Sequence, residues 1–199
     1  MHFIFRHAFA LSILSIANSM PAWAENCPDA KAATRPFIVQ RSDDWRLAVV
    51  HVDDTTVRTM LRSQGNTILE TVEFQGLFQL DRIDRGRRKV FRPKGDLKSF
   101  FPIKVGKKIV AEFDTEESGK IFSTKIELVV RKADALYIGV CKYAVFQIQR
   151  SESSAGGPLQ FFNYDYYSPD LKIVLAKEYT NAGRASTWIK YERIYSGDR

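Results

Sequence analysis

Histidine and cysteine are scarce in this chain, with three and two residues among 199. His2 and His7 fall in an N-terminal segment that reads as a removable leader, which leaves His51 alone. One histidine and two cysteines cannot supply the usual ligand set of a zinc site. There is no C-x-x-C pair, so a thioredoxin-like redox role has no support. The nucleophile elbow G-x-S-x-G, S-x-x-K, a P-loop, a dinucleotide fingerprint and an EF-hand loop are all missing. Amphipathic runs of helical period longer than two turns are missing too, which argues against a helical bundle. The longest apolar stretch, residues 8–17, falls short of the roughly 20 residues that a bilayer-crossing helix needs. No catalytic residue, metal site or cofactor is expected.

What the chain has is, first, a leader. Arg6 precedes the apolar residues 8–17, and Ala22-Trp23-Ala24 places small residues at the two positions a signal peptidase reads. Cleavage after Ala24 and export to the periplasm are expected, with residues 25–199 forming one domain. The alternative is an uncleaved membrane anchor. Cys27 follows Glu25-Asn26, which is not the context of a lipidated N-terminal cysteine. In an oxidising compartment Cys27 and Cys141 are expected to form a disulfide, and only one pairing exists.

The second feature is period-two alternation. Phe122, Ile126, Leu128 and Val130 share one face of a strand over 121–131, and Ile109, Ala111 and Phe113 share a face of the strand before it. Further strands are expected over 45–52, 56–63, 67–74, 77–83, 88–92, 141–150, 159–167, 172–179 and 185–195. In 141–150, Ala144, Phe146 and Ile148 are expected on one side and Tyr143 and Val145 on the other. Residues 97–101 suit one short helical turn before Pro102. The expected fold is all-β, an antiparallel meander of about ten strands with little helix. It would hide its edges as a barrel, a half-barrel or a sandwich. An outer-membrane barrel is a rival, but Lys125, Glu127, Lys177 and Glu178 lie mid-strand and break an apolar outer band.

The third feature is charge. The net charge is +7, and it is concentrated. Between Asp81 and Lys108 eleven basic residues face three acids. Arg82, Arg85, Arg87, Arg88, Lys89, Arg92, Lys107 and Lys108 are the candidate ligand-binding residues, because guanidinium and ammonium groups recognise phosphate and carboxylate. Val90, Phe91, Phe100 and Phe101 interleave with them and would suit an amphipathic ligand. The alternative is a solvated hairpin. Nucleic acid would meet the same charge, but the compartment argues against it. Phe161, Phe162, Tyr164, Tyr166 and Tyr167 form an aromatic group that reads as core packing before it reads as a sugar platform. His51, two residues before Asp53-Asp54, reads as a strand-end histidine beside a turn. The adjacent acid pairs Asp43-Asp44, Asp53-Asp54 and Glu116-Glu117 are expected in turns, and strand neighbours would point to opposite faces in any case. A carboxylate pair would have to be brought together by folding.

Three stretches resemble certain uncharacterised exported β-proteins of proteobacteria. Phe101–Lys108 is similar to their Pro-Leu-x-Val-Gly segment. Gly139–Ile148 is similar to their Gly-x-Phe/Cys-x-Tyr strand, and Tyr166–Leu171 to their Tyr-Ser-Pro-Glu-Leu turn. The likeness spans residues 101–179 and implies an all-β periplasmic domain; it implies no reaction. Independently of any family, Ser168-Pro169-Asp170 has the chemistry of a β-turn.

The expected function is therefore non-enzymatic: binding of an anionic or amphipathic envelope component, whether anionic lipid, glycan or envelope protein, through the basic segment and a β-lined concavity. The alternatives are an assembly factor for envelope integrity without a small ligand, and a hydrolase whose carboxylates meet only in three dimensions.

Overall fold

A computed structural model describes residues 27–31, 34–41, 43–154, 159–180 and 185–197. The expected leader, its cleavage after Ala24 and the anchor alternative lie outside the described residues. The protein is all-β. Its strands are β1 (Phe37–Gln40), β2 (Arg46–His51), β3 (Thr56–Ser63), β4 (Asn66–Phe74), β5 (Phe78–Asp84), β6 (Arg87–Pro93) and β7 (Lys108–Glu117). They continue as β8 (Lys120–Ile138), β9 (Cys141–Ser154), β10 (Leu159–Ser168), β11 (Ile173–Tyr179), β12 (Thr187–Lys190) and β13 (Arg193–Ser196). A 3-10 turn, Leu97–Phe100, sits where one helical turn was expected, and the Asp96 carboxylate accepts from the Lys98 N–H at 2.9 Å.

Tight turns make the meander. Gln64-Gly65, Arg85-Gly86 and Ser118-Gly119 each hold two consecutive residues at positive φ, the two-residue geometry whose twist matches the flanking strands. Two expected boundaries shift. Glu116 and Glu117 end β7 rather than sitting in a turn, because cations across the strand hold them in the ladder. The expected strand 185–195 is two strands, and β1 adds one more.

All strands join one antiparallel sheet in the order β12-β11-β10-β9-β8-β7-β6-β5-β4-β3-β2-β1-β13. The two ends of this order, β12 and β13, are separated in sequence by Tyr191 and Glu192 alone. Three residues of chain, from Lys190 to Arg193, span at most about 11 Å. The sheet edges must therefore approach at that corner, although they do not pair. The sheet is rolled but not closed, which fits a half-barrel or sandwich.

One core cluster gathers Phe37, Val39, Val49, Val57, Tyr143, Val145, Leu171, Ile173 and Ile194. The other gathers Phe74, Leu77, Phe78, Phe91, Phe113, Ile126, Leu128, Ile148 and Tyr167. The buried face of β9 changes along its length. Cys141, Tyr143 and Val145 are buried at one end and Ile148 and Arg150 at the other. Ala144 is exposed, contrary to the expected grouping with Phe146 and Ile148. A register shift between Val130 and Lys132 of β8 lies opposite this change, and such a bulge re-aims the side chains that follow it. Cys27 is bonded to Cys141, which ties the start of the described chain to the β8–β9 hairpin.

Candidate functional site

The register decides which side chains share the hollow of the rolled sheet, because directly paired residues point the same way. Val57, Glu73 and Gln79 form one row across β3, β4 and β5, beside the Gln75–Leu77 turn. Thr59, Thr71 and Arg82 form the next row, and the buried hydroxyls of Thr59 and Thr71 meet at 2.7 Å. Leu47, Leu61 and Leu69 form a third, toward the other end. On the opposite wall Asp165 of β10 stands between Lys177 of β11 and Ile148 of β9, and Asn163 stands beside Arg150. These walls enclose a cavity of about 540 Å³, within the range of small-molecule pockets.

Loops close one end. Gly76 adopts φ +63, and its α-carbon lies against the backbone of Lys172, so close that an added Cβ would fall 1.7 Å from the Lys172 carbonyl oxygen. His51 Nε2 lies 3.0 Å from the Leu171 carbonyl oxygen, on the same side. In the turn 168–171 Ser168 and Leu171 are buried, while Asp170 is exposed. Near this closed end the cavity is charged. Arg150 is buried and donates from Nη1 to the Leu77 carbonyl at 2.8 Å, while its Nη2 lies 3.9 Å from Glu152. Lys177 pairs with Asp165 at 2.8 Å, and Asn163 also donates to that Asp165 oxygen. Burial pushes the Glu73 carboxyl up, against the opposing fields of Lys177 and Arg150; the charge of Asp165 adds to the rise. Near the open end the lining is mainly apolar and half-buried, with Trp45, Leu47, Leu61, Leu69 and Ile189, and Arg41 lies over the Trp45 ring.

The basic segment is brought together on β5, β6 and the start of β7, but mostly neutralised. Arg82 pairs with Asp84 at 2.7 Å, Arg88 with Asp81 at 2.5 Å, Lys89 with Glu117 at 2.8 Å, Arg92 with Glu116 at 2.7 Å and Lys108 with Glu127 at 2.9 Å. Lys107 donates to the Phe100 carbonyl at 2.6 Å. Exposed pairs of this kind contribute little stability, but they lower the charge on offer. Arg85 and Arg87, at the β5–β6 tip, form no ion pair among the described residues. With Arg82 they hold the Asp84 carboxyl below its usual range. Because Leu69 pairs with Asp84, this tip stands at the open end of the cavity. Of the candidate residues only Arg82 lines the hollow.

Glu73, Arg150, Asn163, Asp165 and Lys177 carry no local sequence signal of a site. Each is a polar residue in a strand, and nothing local distinguishes an inward-facing one from a solvated one. Among the aromatics, Tyr166 and Tyr167 belong to the core, as read; the side chain of Phe161 lies outside the described residues.

No protein family and no curated protein sequence matches the chain. Among solved structures it is similar to the hypothetical lipoprotein YmcC of Escherichia coli K12, with 14% identity, a TM-score of 0.47, and coverage of 79% of this chain and 83% of that one.

Proposed function

We propose that this protein binds an amphipathic component of the cell envelope in the hollow of its rolled sheet, without transforming it. One observation carries the reading: the cavity of about 540 Å³ has a charged floor at its closed end and a half-buried apolar lining at its open end. A molecule with a polar head and an apolar tail matches that gradient, since each part finds its like and neither is stranded. The leader-like N-terminus and the Cys27–Cys141 bond support an extracytoplasmic setting. Arg85 and Arg87 stand at the mouth, where their charge would meet anionic lipid or glycan before the ligand enters. The test is extraction of the protein purified without detergent, with mass spectrometry of what it carries. An intact amphiphile is expected from the wild type and its loss from Leu61→Trp, which fills the mouth. An empty wild type, or equal cargo in a folded Leu61→Trp, would overturn the reading.

A hydrolase is favoured by one observation, that Glu73 and Asp165 line the same cavity while their environments differ. It would return a cleaved amphiphile, and Glu73→Gln would then restore the intact one.

A further inference from the structure

The floor of the cavity carries more information than its polarity. Asp165 is fully buried and its Oδ1 is taken by Lys177 and Asn163, yet its Oδ2 has no hydrogen-bond partner among the described residues. Asn163 is also fully buried behind it, and its Oδ1 has no partner among the described residues. Of the two residues Asp165 lines the cavity, so a buried acceptor in need of a donor stands in its floor. The nearby donors are cationic: Arg150 Nη1 serves the Leu77 carbonyl and Lys177 serves Asp165 Oδ1, and neither reaches Oδ2.

This asymmetry selects the head group. An anion would set its charge beside the carboxylates of Asp165, Glu73 and Glu152, and has no proton to give Oδ2. A second cation on Asp165 would sit next to the ammonium of Lys177, 2.8 Å from the same carboxylate, and near the Arg150 guanidinium. Neutral hydroxyls donate to Oδ2 and can accept from the remaining N–H groups of Arg150 and Lys177, without charge repulsion. Gln79 in the adjacent row offers an amide that can both donate and accept, and Trp45, Tyr179 and Tyr191 give aromatic faces in the lining.

We infer that the cavity takes an uncharged, hydroxyl-bearing head, held by Asp165 Oδ2, with the apolar tail leaving past Leu61 and Leu69. This rests on the proposed amphiphile-binding function and narrows it to a head-group chemistry. A glycosyl head and a glycerol head share that chemistry.

The experiment is calorimetric titration of the full protein with four eight-carbon amphiphiles below their micelle concentrations. They are n-octyl glucoside, 1-octanoylglycerol, octyl phosphate and octylammonium. At least one of the two hydroxyl heads is expected to bind tenfold or more tighter than both charged ones, and the better of the two identifies the source. Asp165→Asn is expected to reduce that binding at least tenfold without weakening octyl phosphate, since Lys177 loses its counter-charge. The ranking is read on the wild type, so it stands even if the variant fails to fold. Octyl phosphate or octylammonium binding as tightly as the hydroxyl heads would overturn the inference while leaving amphiphile binding intact. No binding by any of the four would overturn both.

Discussion

The guanidinium of Arg150 donates to the carbonyl of Leu77, 73 residues earlier, at 2.8 Å. This bond links the wall built from β9 to the turn that closes the opposite wall. It also places a buried positive charge among Glu73, Glu152 and Asp165.

Arg150→Met should therefore remove two things at once. The Leu77 carbonyl loses its donor and the carboxylates lose a counter-charge. The expected loss is about 3–5 kcal/mol, the range for breaking a buried charged interaction from one side. Urea unfolding followed by tryptophan fluorescence measures it.

Gly76 and Gly86 separate conformational strain from steric exclusion. Both have positive φ, but a Cβ on Gly86 meets nothing within 4 Å, whereas one on Gly76 meets the Lys172 backbone. Gly86→Ala should cost about 1–2 kcal/mol, the left-handed penalty alone. Gly76→Ala should cost clearly more, since the closed end must open to admit the methyl group. Equal midpoints in paired denaturation curves would contradict the packing of that end.

The Cys27–Cys141 bond spans 114 residues of sequence. The chain-entropy treatment gives about 4.7 kcal/mol for a loop near 100 residues. Reduction with a thiol reagent should lower the unfolding midpoint accordingly. A thiol assay on unfolded, unreduced protein should find no free cysteine.

Two carboxyls should impose opposite pH dependences. The Glu73 carboxyl is raised by burial, so its contribution is fully present below its unfolded pKa near 4.5 and is lost as pH rises through its folded value. Glu73→Gln should gain stability relative to wild type as pH rises from 4.5, and the gain should level off above the folded value. The exposed Asp53 carboxyl is lowered to about 2 by the Thr55 backbone N–H first, then by the Thr55 hydroxyl and the Thr56 groups. Its contribution is present above 3.8 and is lost as pH falls toward 2. Carbon-detected NMR titration should place Asp53 near 2, and Thr55→Val should move it up.

Charge reversal of Arg85 and Arg87 to glutamate should leave stability within about 0.5 kcal/mol, as exposed substitutions do. Co-sedimentation with phosphatidylglycerol vesicles should fall, and the difference should shrink in high salt as screening sets in. Unchanged sedimentation at low salt would remove the tip from any role at an anionic surface.

Most strands were legible because alternation and turn residues are local signals. Ser118-Gly119 and Arg85-Gly86 announce their hairpins without reference to the rest of the chain. β1 was missed because four residues, Phe37–Gln40, are too few to show a period, and its burial depends on β2 and β13. The basic segment was legible as charge but not as site. The carboxylates that neutralise it, Glu116, Glu117 and Glu127, lie beyond the segment in sequence and reach it only across the ladder.

Composition and local order settled that the chain builds antiparallel strands with glycine-bearing turns, and that two cysteines had one another as partners. Backbone sterics and residue volume act between near neighbours, and the chain carries that information directly. Tertiary structure alone decided that β13 leaves β12 to pair with β1, and hence that the sheet rolls. Rolling turned Glu73, Arg150, Asn163 and Asp165 inward, because the sum of strand twist, and not any one strand, determines which face becomes concave.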